Sequence, residues 1–196
     1  MTPSRDDAWE LFCEWTRSDS LRKHVLGVEA CMRAYAREYG EDEELWAVTG
    51  IVHDLDYERY PDLETGHPRK ALEELRRLGY PDEVVDAVAG HATFLGVPRE
   101  TRMAKALFAV DELSGFVAAC ALVRPTGIHG MVPKSVKKKL KQPSFAAAVD
   151  RDEVRQAADE LGVDFDDHLR TVIGAMEGRA AELGLEGEAA SASSSS

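Results

Sequence analysis

The stretch Leu45-Trp46-Ala47-Val48-Thr49-Gly50-Ile51-Val52-His53-Asp54 decides how the chain is read. It is an almost unbroken apolar run that closes on two ionisable residues, so His53 and Asp54 fall at the inner end of a largely buried helix. Enclosing a carboxylate costs several kcal/mol (about that order) unless a cation or hydrogen bonds compensate. A metal ion would supply both charge and direction. The same reasoning applies to Asp111, whose neighbours one turn away are Leu107 and Phe108 before it and Ser114 and Gly115 after it.

Outward from this run the pattern is helical. Trp9, Phe12 and Cys13, then Val25, Val28 and Met32, recur at three- and four-residue spacing, and strand-like alternation is scarce. The expectation is an all-α fold with helices near 5–17, 20–39, 42–54, 67–79, 81–92, 100–123, 133–141, 150–161 and 164–184. Pro68 and Pro81 suit first helical turns, and Gly40, Gly79 and Gly162 suit left-handed caps. Residues 55–66, with Tyr60-Pro61-Asp62, read as a loop directly after the His53-Asp54 pair. With 196 residues the chain can bury one core, so one compact helical domain is expected over 1–186. Its core would span about 20–125 and a helical extension about 133–184, with a disordered small-residue tail at 187–196.

Composition narrows the functional classes. A formal net charge of -12 repels polyphosphate backbones, so long nucleic acid is not an expected partner despite the basic run from Lys134 to Lys141. No apolar run reaches the ~20 residues of a membrane span, and residues 1–10 lack the basic flank and apolar centre of a secretory signal. The expected location is therefore cytoplasmic, without a membrane partner. Cys13, Cys31 and Cys120 are odd in number and widely spaced, which reads as reduced structural thiols.

His24 has Leu21 and Val28 on its own helical face, so its imidazole should point inward. His67 precedes Pro68 at a helix start and His91 falls near a helix end, which puts both at element termini facing a cleft. Imidazole plus carboxylate suits iron, manganese, zinc, magnesium, cobalt or nickel, and the spacing does not choose among them. Adjacent helical residues diverge by about 100°. His53 and Asp54 can thus serve one centre only if the helix ends there or the carboxylate bridges two ions. His129 and His168 read as non-ligands, and the acids at 164, 166 and 167 as a helix start.

The order His24, His53-Asp54, Asp111 resembles the H…HD…D pattern of the HD-domain superfamily of metal-dependent phosphohydrolases over roughly residues 20–125. The wording around the two motifs is similar to an uncharacterised bacterial branch of predicted HD hydrolases. The resemblance implies that His24, His53, Asp54 and Asp111 hold one divalent ion. His67 and His91 occupy the interval where some members carry ligands for a second, with Asp54 bridging. Tyr57 stands where the commoner HD-Ile-Gly-Lys wording has lysine, so no catalytic lysine is carried over.

The implied activity is hydrolysis of a small phosphorylated substrate, a phosphomonoester or nucleotide, by metal-activated water. Asp54 is central to it, and Asp56 and Glu58 are candidates to donate a proton or orient water, or are simply solvated. Arg124, Lys134 and Lys138 are the candidate phosphate anchors, the two lysines sharing a helical face. Two other classes stay open: a di-iron oxygenase of the same ligand layout, and a non-catalytic module that binds a nucleotide or partner.

Overall fold

The computed structural model describes residues 3–188 of the chain. Among them are ten α-helices and no strand: α1 (Arg5–Trp15), α2 (Asp19–Tyr39), α3 (Glu43–Val52), α4 (Arg69–Arg77), α5 (Asp82–His91), α6 (Arg102–Leu122), α7 (Pro133–Leu140), α8 (Arg151–Leu161), α9 (Phe165–Glu177) and α10 (Ala180–Leu183). A short 3-10 turn at Thr93–Leu95 follows α5. The expectation of an all-α fold holds. No helix among the described residues is long and apolar enough to cross a membrane. Of the expected tail, residues 189–196 lie outside the described residues, while the Glu188 N–H donates to Pro125 O at 3.1 Å.

Helix starts follow local chemistry. Ser4 forms a reciprocal capping box with Asp7 ahead of α1, and Ser18, Asp42 and Thr101 accept first-turn N–H groups of α2, α3 and α6. Gly40 and Gly162 close α2 and α8 in the left-handed conformation, as their positions suggest. Pro68 and Pro81 instead cap α4 and α5 from just outside, so both helices begin one residue later than a first-turn proline implies.

The long C-terminal helix read over 164–184 is in fact two. Gly178 caps α9, and Arg179 leaves helical geometry at φ -123, ψ 24. Its guanidinium donates to the buried Glu29 carboxylate on α2 at 2.9 Å, which Arg5 and Arg33 also pair with. A carboxylate enclosed in the core requires such donors, and that tertiary demand bends the chain at a place where the sequence period runs on.

Helices α2, α3 and α6 form the centre. α6 also packs against α5, α8 and α9. Phe12, Val28, Met32, Ile51, Leu107 and Phe116 belong to one cluster of buried side chains that runs from Ala8 to Leu185. The crossing of α2 and α3 depends on Gly50. A Cβ there would lie 3.0 Å from the Glu29 backbone, so any side chain would force the two helices apart.

Candidate metal centre

Five segments deliver the six expected ligands. His24 comes from the second turn of α2, and His91 is the last residue of α5. Asp111 sits in mid-α6, while His53 and Asp54 follow the last residue of α3. The helix therefore ends where the sequence requires it to, freeing adjacent side chains to turn toward one point. His67 is carried by the loop before α4, which folds back on itself. His67 N–H donates to Tyr60 O at 2.8 Å and Gly66 N–H to Asp62 O at 2.8 Å. A Cβ on Gly66 would collide with Tyr60 O at 2.3 Å, so only glycine allows this closure.

These side chains converge. His24 Nε2 lies 3.1 Å and His53 Nε2 3.4 Å from Asp111 Oδ1. The same nitrogens lie 3.8 Å and 3.5 Å from Asp54 Oδ2. On the other side, His67 Nε2 and His91 Nε2 lie 3.7 Å and 3.6 Å from Asp54 Oδ1. Two groups result, His24-His53-Asp111 and Asp54-His67-His91, each with its ligand atoms within 4.8 Å of one another. Asp54 faces both groups, one carboxylate oxygen to each.

Hydrogen bonds fix which imidazole nitrogen points inward. His53 Nδ1 faces Gly50 O at 2.8 Å, His91 Nδ1 faces Val88 O at 2.5 Å, and His67 Nδ1 faces Asp56 Oδ1 at 2.7 Å. An acceptor beside Nδ1 keeps the proton there and leaves Nε2 as a lone-pair donor, the arrangement a metal needs. His53 Nε2 is fully buried and has no hydrogen-bond partner. A buried nitrogen without a partner costs free energy, and a cation at this point would satisfy it. The donor set thus fits divalent metal.

Charge at the centre is mutually dependent. Burial works against the Asp54 and Asp111 carboxylates, yet the surrounding histidines, His53 foremost, pull both pKa values below the ordinary carboxylate range. Burial likewise lowers His53 and His91, but the facing carboxylates outweigh it and leave both above the ordinary histidine value.

Neither Asp56 nor Glu58 lines the cleft that His24, Asp54, His67, His91 and Asp111 share, although Glu58 borders an adjoining hollow with His24 and Tyr57. Asp56 is completely buried, with Oδ1 on His67 Nδ1 and Oδ2 accepting the Ala71 N–H at 2.7 Å. Both oxygens are committed, so the carboxylate fixes the His67 ring and does not line the cleft. Glu58 accepts the N–H groups of Arg17 and Ser18 at 3.0 and 2.8 Å, at the entry to α2, and does not line the cleft over the metal centre. The phosphate anchors are also displaced. Arg124 donates to Thr126 Oγ1 and His129 O, and Lys134 and Lys138 ride on α7; none of the three lines that cleft. The reason is length: α6 continues eleven residues past Asp111 to Leu122, about 16 Å at ~1.5 Å per residue, before Arg124 is reached.

Sequence reasoning does not single out Glu112, although it is next to Asp111. It lines the cleft, a space of about 470 Å³, and burial with help from Asp111 and Glu153 pushes its carboxyl up to about 7. The signal available was an acid on an otherwise apolar helix. Tyr57, in the place of the commoner lysine, stands edge-on to His67 with ring centroids 5.1 Å apart. His168 lies in the core between Tyr35 Oη and Ala109 O, away from the centre, and His129 pairs with Glu177.

Comparison with known proteins agrees with this geometry. Ribonuclease Y of Lactobacillus acidophilus is 32% identical over 95 residues, covering 48% of this chain and 17% of that protein. Ribonuclease Y of Rhodopirellula baltica is 26% identical over 160 residues, covering 82% of this chain and 28% of that protein. The chain thus matches less than a third of the length of these relatives. No solved structure matches it significantly. Residues 21–115, which hold all six convergent side chains, match the HD domain, and that segment, just under half of the chain, is an HD domain.

Proposed function

We propose that the protein is a phosphohydrolase that holds two divalent ions and releases phosphate from a small phosphomonoester or nucleotide. The observation that carries this reading is the division of the Asp54 carboxylate, with Oδ2 toward His24 and His53 and Oδ1 toward His67 and His91. In this reading His24, His53 and Asp111 hold one ion, His67 and His91 the other, and Asp54 spans both. When bound, such ions supply an activated water at neutral pH and offset charge on phosphoryl oxygens. The chain's own part is orientation. Gly50 O, Val88 O and Asp56 lock three imidazoles in the tautomer that offers Nε2, and the apolar surroundings keep those bonds from exchanging with water.

The relatives are ribonucleases by name, which makes an RNA phosphodiester the competing substrate. A small ester is favoured because the net charge is -12 and no lysine or arginine lines the cleft, whereas a long polyanion requires a basic track. Elemental analysis of anaerobically purified protein, then phosphate release from a panel of phosphoesters with each metal, tests the reading. It expects two ions per chain and metal-dependent phosphate release from small esters. Iron with substrate-dependent dioxygen uptake would mark an oxygenase instead, and tight ligand binding without turnover under any metal a binding module.

A further inference from the structure

We propose that the substrate carries a single phosphate on a planar aromatic leaving group, and that the cleft selects against polyphosphates. This rests on the two-ion phosphohydrolase reading and adds a substrate class to it.

The first observation is the rim. Tyr57, Leu63 and Phe94 line the cleft and are 48%, 51% and 50% exposed. Half-open apolar side chains scattered singly need no explanation, but three around one opening mark a surface that a ligand covers. The rim is also held in place. Phe94 belongs to the 3-10 turn at Thr93–Leu95, which Thr93 Oγ1 ties to Glu153 of α8 at 2.9 Å. Tyr57 stands edge-on to the His67 ring, so a flat group lying against it is next to the metal-ligand cluster. Aromatic faces favour planar partners over flexible chains.

The second observation is charge. Two dications less the Asp54 and Asp111 carboxylates leave two positive charges, and the Asp56 carboxylate behind His67 reduces that further, so one phosphate dianion already neutralises the centre. A further phosphate brings negative charge that no lysine or arginine among the lining residues meets, and Glu153 adds an anion to the same wall. Arg69 touches the rim, but its guanidinium lies 6.0 Å from the Phe94 ring centre and donates to Leu63 O at 2.6 Å. It braces the rim instead of facing into the cleft.

The test uses non-hydrolysable probes titrated calorimetrically into the metal-loaded chain: phenylphosphonate, methylphosphonate and methylenediphosphonate. Phenylphosphonate should bind about tenfold tighter than either of the others. Phe94→Ala should shrink the phenyl-to-methyl ratio by about fivefold, and Phe94→Leu by less. Equal affinities for phenyl and methyl, tightest binding of the diphosphonate, or a ratio unmoved by Phe94→Ala overturns the proposal. Hydrolysis assays separate the two levels. Phosphate release from methyl and phenyl phosphate at equal kcat/KM keeps the phosphohydrolase and removes aromatic selection, while release from neither under any metal removes both.

Discussion

Replacing Asp56 by alanine should weaken one metal ion and spare the other. The carboxylate is completely enclosed and sits 2.7 Å from His67 Nδ1 and 2.7 Å from the Ala71 N–H. Its loss frees the His67 tautomer and ring orientation. Removing such a ligand-orienting partner costs about 10- to 100-fold in metal affinity, which is about 1.4–2.8 kcal/mol. An independent route gives the same size, since a hydrogen bond to a charged group contributes about 1.5–3 kcal/mol. The group His24-His53-Asp111 has no bond to Asp56, so its ion should change by less than about threefold. Competition against a chelating dye, resolved into two sites, measures both constants, and circular dichroism checks that the helices persist. Asp56→Asn, which keeps an acceptor oxygen but not the charge, should fall between wild type and alanine. Both constants unchanged in the alanine variant, or both lowered equally, would refute the argument that Asp56 acts through His67.

Other outcomes follow from the same geometry. Asp54→Ala should abolish turnover and metal retention at both groups with the helical spectrum intact, read by metal content after dialysis. In the metal-free chain His53 and His91 sit above 6.5, so their stabilisation is complete below that value and is lost as pH rises through the folded values. The melting temperature of the metal-free chain should therefore fall from pH 6.5 to 8, whereas metal affinity over the same range should rise as those protons leave. His168 behaves oppositely: burial lowers it to about 4, so its contribution is present above 6.5 and lost as pH falls toward 4, about 3 kcal/mol at ~1.36 kcal/mol per unit. His168→Gln should reduce the difference in urea stability between pH 7 and pH 4.5 relative to wild type. Lys138→Glu should leave KM for a small phosphoester within about twofold, because α7 does not contribute to the cleft.

The helical fold and the convergence of the six side chains are legible because both are written in short-range terms. Apolar spacing marked the helices, and an acid or imidazole on an apolar face, as at Asp111 and His24, marked a buried polar group needing a partner. The break at Arg179 was not legible, since it answers a carboxylate on α2 that lies 150 positions earlier in the chain. The roles of Asp56 and Glu58 were hidden for a similar reason. Both follow the His53-Asp54 pair in a loop, and only the loop's closure sends one carboxylate to His67 and the other to the start of α2. That Arg124 and the α7 lysines do not line the cleft is not legible either, because charge alone gives no distance, and the length of α6 carries them away from Asp111. Glu112 is hidden in the sequence beside Asp111, because its environment depends on α8, whose Glu153 lines the same cleft.

The central claim is that one carboxylate, Asp54, joins two metal positions. Anomalous X-ray scattering from crystals grown with manganese or zinc tests it directly. Two peaks per chain are predicted, one among His24, His53 and Asp111 and one beside His67 and His91, with Asp54 between them. A single peak that leaves His67 and His91 unliganded, or peaks away from these six residues, would contradict the account.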